Sequence, residues 1–270
     1  MIGQGGLKLI FGALSDAPRF ELFGPAHWAT LVGIAGVCLL VPLWARRLDD
    51  RSQETVARGI AVLILVEELL IKIPVRVGLF DFPLAEELPL HLCRLGAIAG
   101  AWLLMTRSVW AFDLVYFWAL GGGLLALLTP DIRIAPPHII YGLFYSGHAL
   151  EILAVVYAMV VFGMRPHFRS VLRCMAVTQL LVLFLYPLNA WLGSNYLFLN
   201  RPPGEASILD GLGSGWVYLA QIEVVAAIFI VGFYLPFWLW DIRSGFPRGL
   251  LNRRSRRFGR GDAQEVTIDS

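Results

Sequence analysis

Seven long apolar runs dominate the chain and leave few folds open to it. They lie at about residues 26–45, 57–79, 88–106, 110–128, 138–164, 172–192 and 215–240. About 20 consecutive apolar residues span the hydrocarbon core of a bilayer as a helix. None of the runs alternates apolar and polar residues, as the strands of a membrane barrel do. The sequence therefore predicts an all-α polytopic membrane helix bundle of about seven transmembrane helices.

Composition excludes the competing classes. The 270 residues are 57% hydrophobic and 16% charged, whereas soluble domains are about 45–50% apolar and about 25% charged. The net charge of +2 comes with no basic stripe, so no nucleic-acid partner is expected. The three cysteines, Cys38, Cys93 and Cys174, are too few and too scattered for a disulfide framework or a zinc motif. We expect no metal and no cofactor.

Basic residues set the orientation. With seven spans and the N-terminus outside, 15 of the 22 Lys and Arg residues fall in cytoplasmic segments, four fall outside and three lie within spans. Cytoplasmic loops of membrane proteins carry this excess. The distribution predicts an outer N-terminus and a cytoplasmic C-terminus, in the cytoplasmic membrane of a bacterium.

The chain divides into three parts under this topology. Residues 1–24 form an N-terminal interfacial segment, 25–240 the seven-helix transmembrane domain and 241–270 a basic cytoplasmic tail. The longest loop, 193–214, lies outside. Its apolar residues are too many for a free linker, so it is predicted to fold back as a cap over the bundle (Phe198, Leu199, Ile208 and Leu209).

Several ionisable residues lie within the predicted spans, where each is costly and points to function. Glu68, Lys72 and Arg76 follow i, i+4, i+8 spacing and share one face of the second helix. The others are Glu67, Arg94, Glu151 and Glu223. The alternative is that these acids and bases form a structural intramembrane charge network, with Glu67, Glu68 and Glu223 among its acids.

One cysteine and one histidine suggest nucleophilic catalysis. Cys93 is predicted about 8 Å and His148 about 15 Å below the outer surface. Cys93 is flanked by His91 and Arg94, and a nearby cation favours the reactive thiolate. His148 would then accept the thiol proton, and Glu151, three residues further on, would orient the imidazole as the third member of a triad.

Polar residues at the outer helix ends complete this candidate site. Thr129, Asp131 and Asn189 are predicted to line one outward-opening cavity with Cys93 and His148. Thr129, Asn189 and a free helix-end amide are alternative oxyanion donors. The bases predicted to bind a lipid phosphate are Lys72, Arg76 and Arg94.

Four strings occur in one order: LPLHLCRLG (88–96), YFWALGGGLLALLTPDI (116–132), FYSGHALEIL (144–153) and NYLFLNRPPGEASILDGLG (195–213). Together they resemble the YwaF-like family of bacterial integral membrane proteins, which is related to the eukaryotic transmembrane protein 164 family. The resemblance runs from about Pro25 to about Trp240. It implies a helical fold of six or seven spans.

The resemblance also implies an activity. The eukaryotic relatives are implicated as phospholipid acyltransferases, with an essential Cys in an H-L-C motif and an essential His in an S-x-H motif. These positions match Cys93 and His148. The resemblance does not extend to Glu151, whose role depends only on its spacing from His148.

Two other classes stay open. A transporter or channel is supported by the charged second helix and by the run Gly121–Gly123, although no inverted repeat is present. A non-catalytic lipid-binding protein is the third possibility. The leading hypothesis is a phospholipid acyltransferase or acyl-lipid hydrolase whose partners are membrane phospholipids.

Overall fold

The computed structural model describes residues 9–203 and 211–243. In these ranges the regular structure is helical, and the one β-type pairing is an isolated bridge between Arg19 and Ile134. The prediction of an all-α fold is confirmed for this part of the chain.

Within residues 9–203 and 211–243, ten α-helices and two π-helical segments make up the bundle. One π-helical segment, Val66–Lys72, joins α2 to α3, and the other, Ala119–Gly123, joins α6 to α7. The α-helices are α1 (Pro25–Ala45), α2 (Asp50–Leu65), α3 (Ile73–Phe80), α4 (Leu84–Glu87), α5 (Leu92–Thr106), α6 (Val109–Trp118), α7 (Leu124–Leu128), α8 (Ile139–Val160), α9 (Phe168–Leu192) and α10 (Gly215–Arg243).

In the part of the chain that the structure describes, five helical stretches are long and apolar enough to cross a membrane: α1, the continuous stretch Val109–Leu128, α8, α9 and α10. The other two predicted spans differ from these for physical reasons. The stretch 57–79 carries five charged residues, and α5 has only 15 residues, about 22 Å at 1.5 Å per residue. The count of seven spans and the orientation therefore stay predictions.

The centre of the bundle is formed by α6–α7 and α8. About 56% and 61% of their apolar windows are buried inside the protein, against 11% for α10. The outer helices α1, α9 and α10 instead turn large apolar side chains outward, such as Leu183 at 71% exposure and Trp191 at 81%. Soluble monomers rarely expose contiguous apolar surface of this kind, whereas lipid is a compatible environment for it.

Tryptophan side chains mark the ends of two outer helices. Trp28 and Trp44 are exposed near the two ends of α1, and Trp216 and Trp240 near the two ends of α10. Tryptophan is enriched at the interfaces of membranes with water. The separation of the two tryptophans in each of these helices is what a helix that crosses a bilayer requires.

Two irregular segments close one end of the bundle. The N-terminal segment is tied to the loop between α7 and α8 by Phe20 N–H to Arg133 O (2.7 Å) and Ala135 N–H to Pro18 O (2.8 Å). In the loop after α9, Tyr196 and Leu199 are buried and pack with Leu88 and Leu90. The predicted cap is thus confirmed for residues 193–203, while Ile208, Leu209 and residues 244–270 of the basic tail lie outside the described residues.

Candidate active site

A π-helical turn gathers the charged residues of the second helix. In Val66–Lys72, Glu67, Glu68 and Lys72 are all buried. A π-helical turn widens the helix by one residue and occurs frequently at functional sites. Here the widened turn directs three ionisable side chains into the protein rather than toward lipid.

Five charged side chains form what we call the ion-pair cluster: Glu68, Lys72, Arg76, Glu87 and Arg94. Lys72 pairs with Glu68, and Arg94 Nε lies 3.5 Å from Glu68 Oε2. Arg94 also contacts Glu87, with Nη2 at 3.1 Å from Oε2 and Nη1 donating to the Glu87 carbonyl. Arg76 Nε donates to Glu87 Oε1 at 2.7 Å. Every charge in the cluster thus has an opposite charge in contact.

Sequence reasoning missed Glu87, the acid that joins Arg76 to Arg94. It lies in the short helix α4, between two predicted spans, and is 4% exposed. The sequence signal that could have identified it is the pair Glu86-Glu87 directly before an apolar run. Such a pair is also typical of an ordinary charged loop. Only the packing of α4 against the bundle places Glu87 inside.

Cys93 is the second residue of α5. The helix is preceded by His91 with no side-chain cap, and the amides of Leu92 and Cys93 make no hydrogen bond within the described residues. The free amides and the helix dipole favour negative charge at this end. Glu68, Lys72 and Arg94 are close enough to interact electrostatically with the Cys93 thiol. The sulfur therefore lies at a helix N-terminus beside two cations and one acid.

The hydrogen bond of His148 defines its tautomer. His148 Nδ1 is 2.7 Å from the carbonyl oxygen of Phe144. A carbonyl only accepts, so Nδ1 carries a proton. In the neutral ring Nε2 then bears the lone pair, and Nε2 makes no hydrogen bond within the parts of the chain that are described. His148 has the form that a general base requires.

Glu151 is a fully buried carboxyl group, with 0% exposure. Neither of its oxygens has a hydrogen-bond partner in the described structure. A Cβ at Gly96 would overlap Oε1, and a Cβ at Gly123 would lie 2.9 Å from Oε2. The carboxyl group fits only because two glycines leave room for it.

These groups adjoin one another, and we call Cys93, Gly96, Gly123, His148 and Glu151 the Cys93 site. Gly96 is one helical turn after Cys93, so both lie on the same face of α5. A Cβ at Gly123 would be 4.0 Å from His148 Cδ2 as well as next to Glu151. All three functional side chains interact electrostatically with Glu68 and Lys72. Cys93 and His148 therefore lie in one buried region around Glu151, and their action as a catalytic pair stays a prediction.

The predicted triad is not formed. His148 Nδ1 is occupied by the Phe144 carbonyl, and Glu151 accepts no hydrogen bond from the ring. The reason is geometric: Phe144 is four residues before His148 in the same helix, so its carbonyl lies directly below the ring. Glu151 belongs to the site but does not orient the histidine.

Ser146 and Gly147 connect α8 to the π-helical turn. Ser146 Oγ lies 2.6 Å from Glu67 Oε1 and 2.7 Å from the Gly142 carbonyl. A Cβ at Gly147 would meet Lys72 Nζ and lie 2.9 Å from Glu68 Oε1. The segment Ser146–His148 thus leaves room for the Lys72 and Glu68 side chains, and it also supplies His148. Sequence reasoning used only the histidine.

Three predicted site residues lie elsewhere. Thr129 Oγ1 donates to the Leu125 carbonyl at 3.1 Å. The residue borders a cavity beside the N-terminal segment, and the lining of that cavity does not include Cys93 or His148. Asp131 is exposed on the same loop. The Asn189 side chain holds the cap, because Oδ1 accepts from Tyr196 N–H (2.8 Å) and from Ser194 Oγ (2.9 Å), and Nδ2 donates to the Tyr196 carbonyl (3.0 Å). Asn189 therefore has a structural role.

Glu223 is not part of the ion-pair cluster, which corrects the predicted charge network. It accepts a hydrogen bond from Gln179 between α9 and α10. The two other cysteines, Cys38 and Cys174, are buried, as expected for packing residues. Among the described residues, no group of three or more His, Cys, Asp and Glu side chains is placed to hold a metal ion.

The fold and site together define a class: a helical, multi-pass membrane protein with a buried cluster of charges beside a cysteine and a histidine. Sequence comparison is consistent with this class. Residues 22–234 match the TMEM164 family, and the chain belongs to that family.

A curated relative extends the match over most of both chains. It is an uncharacterized protein of Treponema pallidum (strain Nichols), 32% identical over 230 residues, which cover 83% of this chain and 92% of the relative. No solved structure matches the chain.

Proposed function

We propose that this protein is a bacterial membrane acyltransferase that moves a fatty acyl chain from a phospholipid through a thioester on Cys93. The observation that carries the proposal is that one buried region holds both Cys93, at the uncapped start of α5, and a His148 whose Nε2 is the unprotonated nitrogen. We place the protein in the cytoplasmic membrane, with membrane phospholipids as its substrates.

The reaction follows from these positions. His148 Nε2 accepts the thiol proton, and Cys93 Sγ attacks the ester carbonyl of the phospholipid. When the tetrahedral intermediate collapses, the ester C–O bond breaks and the imidazolium returns its proton to the departing lysophospholipid oxygen. The acyl chain is then on sulfur.

The second half repeats the same proton movements. The hydroxyl of an acceptor lipid gives its proton to His148 and attacks the thioester, and Cys93 leaves as a thiolate that recovers the proton. Water in place of the acceptor lipid makes the reaction a hydrolysis. Both outcomes use the same two residues.

The charge that develops on the carbonyl oxygen needs hydrogen-bond donors. The free amides of Leu92 and Cys93 supply two of them at the end of α5. Glu151 supplies a third if it holds its proton, and burial without a partner favours the neutral acid over an isolated carboxylate. A neutral acid serves as such a donor in ketosteroid isomerase.

The test is acyl transfer by purified protein in liposomes. A phospholipid with an isotope-labelled acyl chain and an unlabelled lysophospholipid are supplied, and products are measured by mass spectrometry. We expect transfer by the wild type and none by Cys93→Ala or His148→Ala. Cys38→Ala, which alters a buried cysteine of α1, is the matched control and keeps the activity.

The intermediate provides a second readout. The intact wild-type protein should gain the mass of one acyl chain, and hydroxylamine should remove it. Identical acyl-chain patterns from wild type, Cys93→Ala and His148→Ala would refute the proposal.

The buried ion-pair cluster favours a second candidate, a transporter whose substrate moves past these charges. Ionisable chains inside membranes commonly form ion and proton pathways. Uptake into liposomes that survives Cys93→Ala and is lost in Glu68→Gln would support transport over acyl transfer.

A further inference from the structure

An exposed stripe of side chains runs along α9, on the side of the helix that faces away from the bundle. Its six members are separated alternately by four and three residues. They are Leu172, Ala176, Gln179, Leu183, Tyr186 and Ala190, all exposed, and we call them the α9 stripe. Residues at this average spacing of about 3.5 share one face of a helix, and helices that pack side by side in pairs use the same spacing.

The neighbouring helix α10 contacts two members of the stripe without covering them. Gln179 donates a hydrogen bond to Glu223, and the ring of Tyr186 stacks on Trp216 at 5.8 Å between centroids. Both members stay exposed despite these contacts. Lipid suits the leucines and alanines of such a stripe, so the spacing alone does not call for a protein partner.

Gln179 is the member that lipid does not suit. It is the twelfth residue of the 25-residue helix α9, about 17 Å from the helix start at 1.5 Å per residue. This depth is near the middle of a hydrocarbon core about 30 Å thick. No other exposed side chain in the five described spans carries an amide or a carboxyl group. A polar group that faces hydrocarbon without hydrogen-bond partners is costly.

The amide of Gln179 has two open hydrogen-bonding positions. A primary amide carries two N–H donors and one acceptor oxygen, and Glu223 takes one of the donors. The second N–H and Oε1 make no hydrogen bond within the residues that the structure describes. One donor and one acceptor on the same group are complementary to an identical group.

Symmetry brings two such groups together. Copies of one membrane protein insert with the same orientation, so a twofold axis between two copies is normal to the membrane and equivalent helices run parallel. At a twofold interface the same patch meets itself, and Gln179 then lies opposite its own copy. Each amide donates its second N–H to Oε1 of the other, which satisfies both open positions.

We propose that the α9 stripe is the interface of a homodimer in which the Gln179 amides of two copies pair across a twofold axis. The small residues Ala176 and Ala190 let the two helices approach closely, and polar side chains join membrane helices in this manner. A single polar residue among apolar ones also fixes the register of a helix pair. The dimer does not depend on acyl transfer.

The test counts copies of the full chain in liposomes by single-molecule photobleaching of a C-terminal fluorescent label, over a series of protein-to-lipid ratios. The variants are Gln179→Leu, Ala176→Trp and Leu180→Trp. Leu180→Trp is the matched control, because Leu180 is 66% exposed on the same helix but does not belong to the stripe.

We expect a wild-type dimer fraction that rises with the protein-to-lipid ratio. Gln179→Leu removes two hydrogen bonds between copies and should weaken the dimer about eightfold. Ala176→Trp prevents close approach of the helices and should abolish the dimer, whereas Leu180→Trp should behave like the wild type. A wild type that is monomeric at every ratio would overturn the proposal and leave lipid or the helix of another protein as the occupant. Unchanged dimerisation of Gln179→Leu would refute the pairing of the amides.

A further variant separates pairing between copies from the contact within one copy. Glu223→Ala breaks the same hydrogen bond to α10 as Gln179→Leu does, but it keeps the amide of Gln179. We expect Glu223→Ala to dimerise like the wild type. An equal loss in the two variants would mean that the contact between α9 and α10 controls association, and the proposal would fail.

Oxidative cross-linking in the same liposomes locates the interface. Leu183→Cys should form a disulfide between copies, because Leu183 belongs to the stripe. Phe184→Cys should not, because Phe184 is exposed but lies about 100° further around the helix. The wild type, with its three native cysteines, gives the background. Cross-linking of Phe184→Cys in preference to Leu183→Cys would place the interface on another face and contradict the proposal.

Discussion

The ion-pair cluster and the Cys93 site are neighbours in one buried region, yet they differ in how their polar groups are satisfied. In the cluster, Glu68 and Glu87 each have cations within 3.5 Å, although Glu68 Oε2 makes an ion pair without a hydrogen bond. In the Cys93 site, both oxygens of Glu151 have no hydrogen-bond partner within the described ranges. Buried groups that lack partners need an explanation, and a chemical role is a common one.

The difference assigns separate tasks to the two regions. Paired charges position α2, α3, α4 and α5 against one another, because a buried charge that loses its partner is expensive. Unpaired groups contribute little to holding the helices together and are available to a substrate. Variants in the cluster should therefore change stability first, and variants in the Cys93 site should change activity first.

The largest expected effect is on stability, from Glu87→Ala. It leaves Arg76 and Arg94 without their shared partner, and removing one partner of a buried pair costs about 3–5 kcal/mol. Thermal unfolding in detergent, followed by intrinsic fluorescence, measures it. Glu86→Ala is the control because Glu86 is the exposed neighbour in the same helix. Equal melting temperatures for the two variants would mean that the cluster does not hold α4.

The next effect is on catalysis, from Glu151→Ala. Loss of one preorganised oxyanion donor lowers kcat by about 10²–10³-fold, and we expect the fold to remain. Glu151→Gln keeps a neutral donor and should retain much more activity than Glu151→Ala. Equal loss in both variants, measured as acyl transfer in liposomes, would indicate that the carboxylate acts as a charge or a base.

Gly96→Ala tests the space that α5 leaves for the Glu151 side chain, and it is the one variant in the Cys93 site that we expect to lower stability. The added methyl group meets Glu151, and overpacking of this kind costs about 1–3 kcal/mol. Combining it with Glu151→Ala should restore the stability but not the activity. Gly142→Ala in α8 is the control, since a Cβ there meets nothing within 4 Å, and its melting temperature should not fall.

The smallest effect is expected from Glu223→Ala in the outer pair α9–α10. The hydrogen bond with Gln179 is a membrane contact of the kind that averages about 0.6 kcal/mol. A shift as large as that of Glu87→Ala, measured in the same unfolding assay, would contradict the separation of Glu223 from the cluster.

Particular residues show how far sequence reasoning reaches. The intramembrane charges Glu67, Glu68 and Lys72 stood out because ionisable groups inside apolar runs are rare, and all three are buried. Glu87 was missed because it lies between runs, where charge is ordinary. Glu223 was grouped with the charge network because it is ionisable within a span, and Asn189 with the site by its predicted depth. Neither signal specifies the direction in which a side chain points.

The spacing of residues along a helix also could not predict the hydrogen-bond partners of His148 and Glu151. The i, i+3 relation of His148 and Glu151 is correct, and both line the same region. Yet the Phe144 carbonyl competes for Nδ1 and takes it. Spacing along a helix gives proximity of Cβ atoms and not the choice among nearby acceptors.

The apolar runs were enough to predict the helical membrane class, because hydrophobic burial and backbone hydrogen bonding in lipid admit few alternatives. The sequence motifs also pointed to Cys93 and His148. The pairing of the charges and the position of Glu151 became known from the three-dimensional packing. Those outcomes depend on side chains from helices far apart in the chain, and their contacts arise from packing rather than from any local pattern.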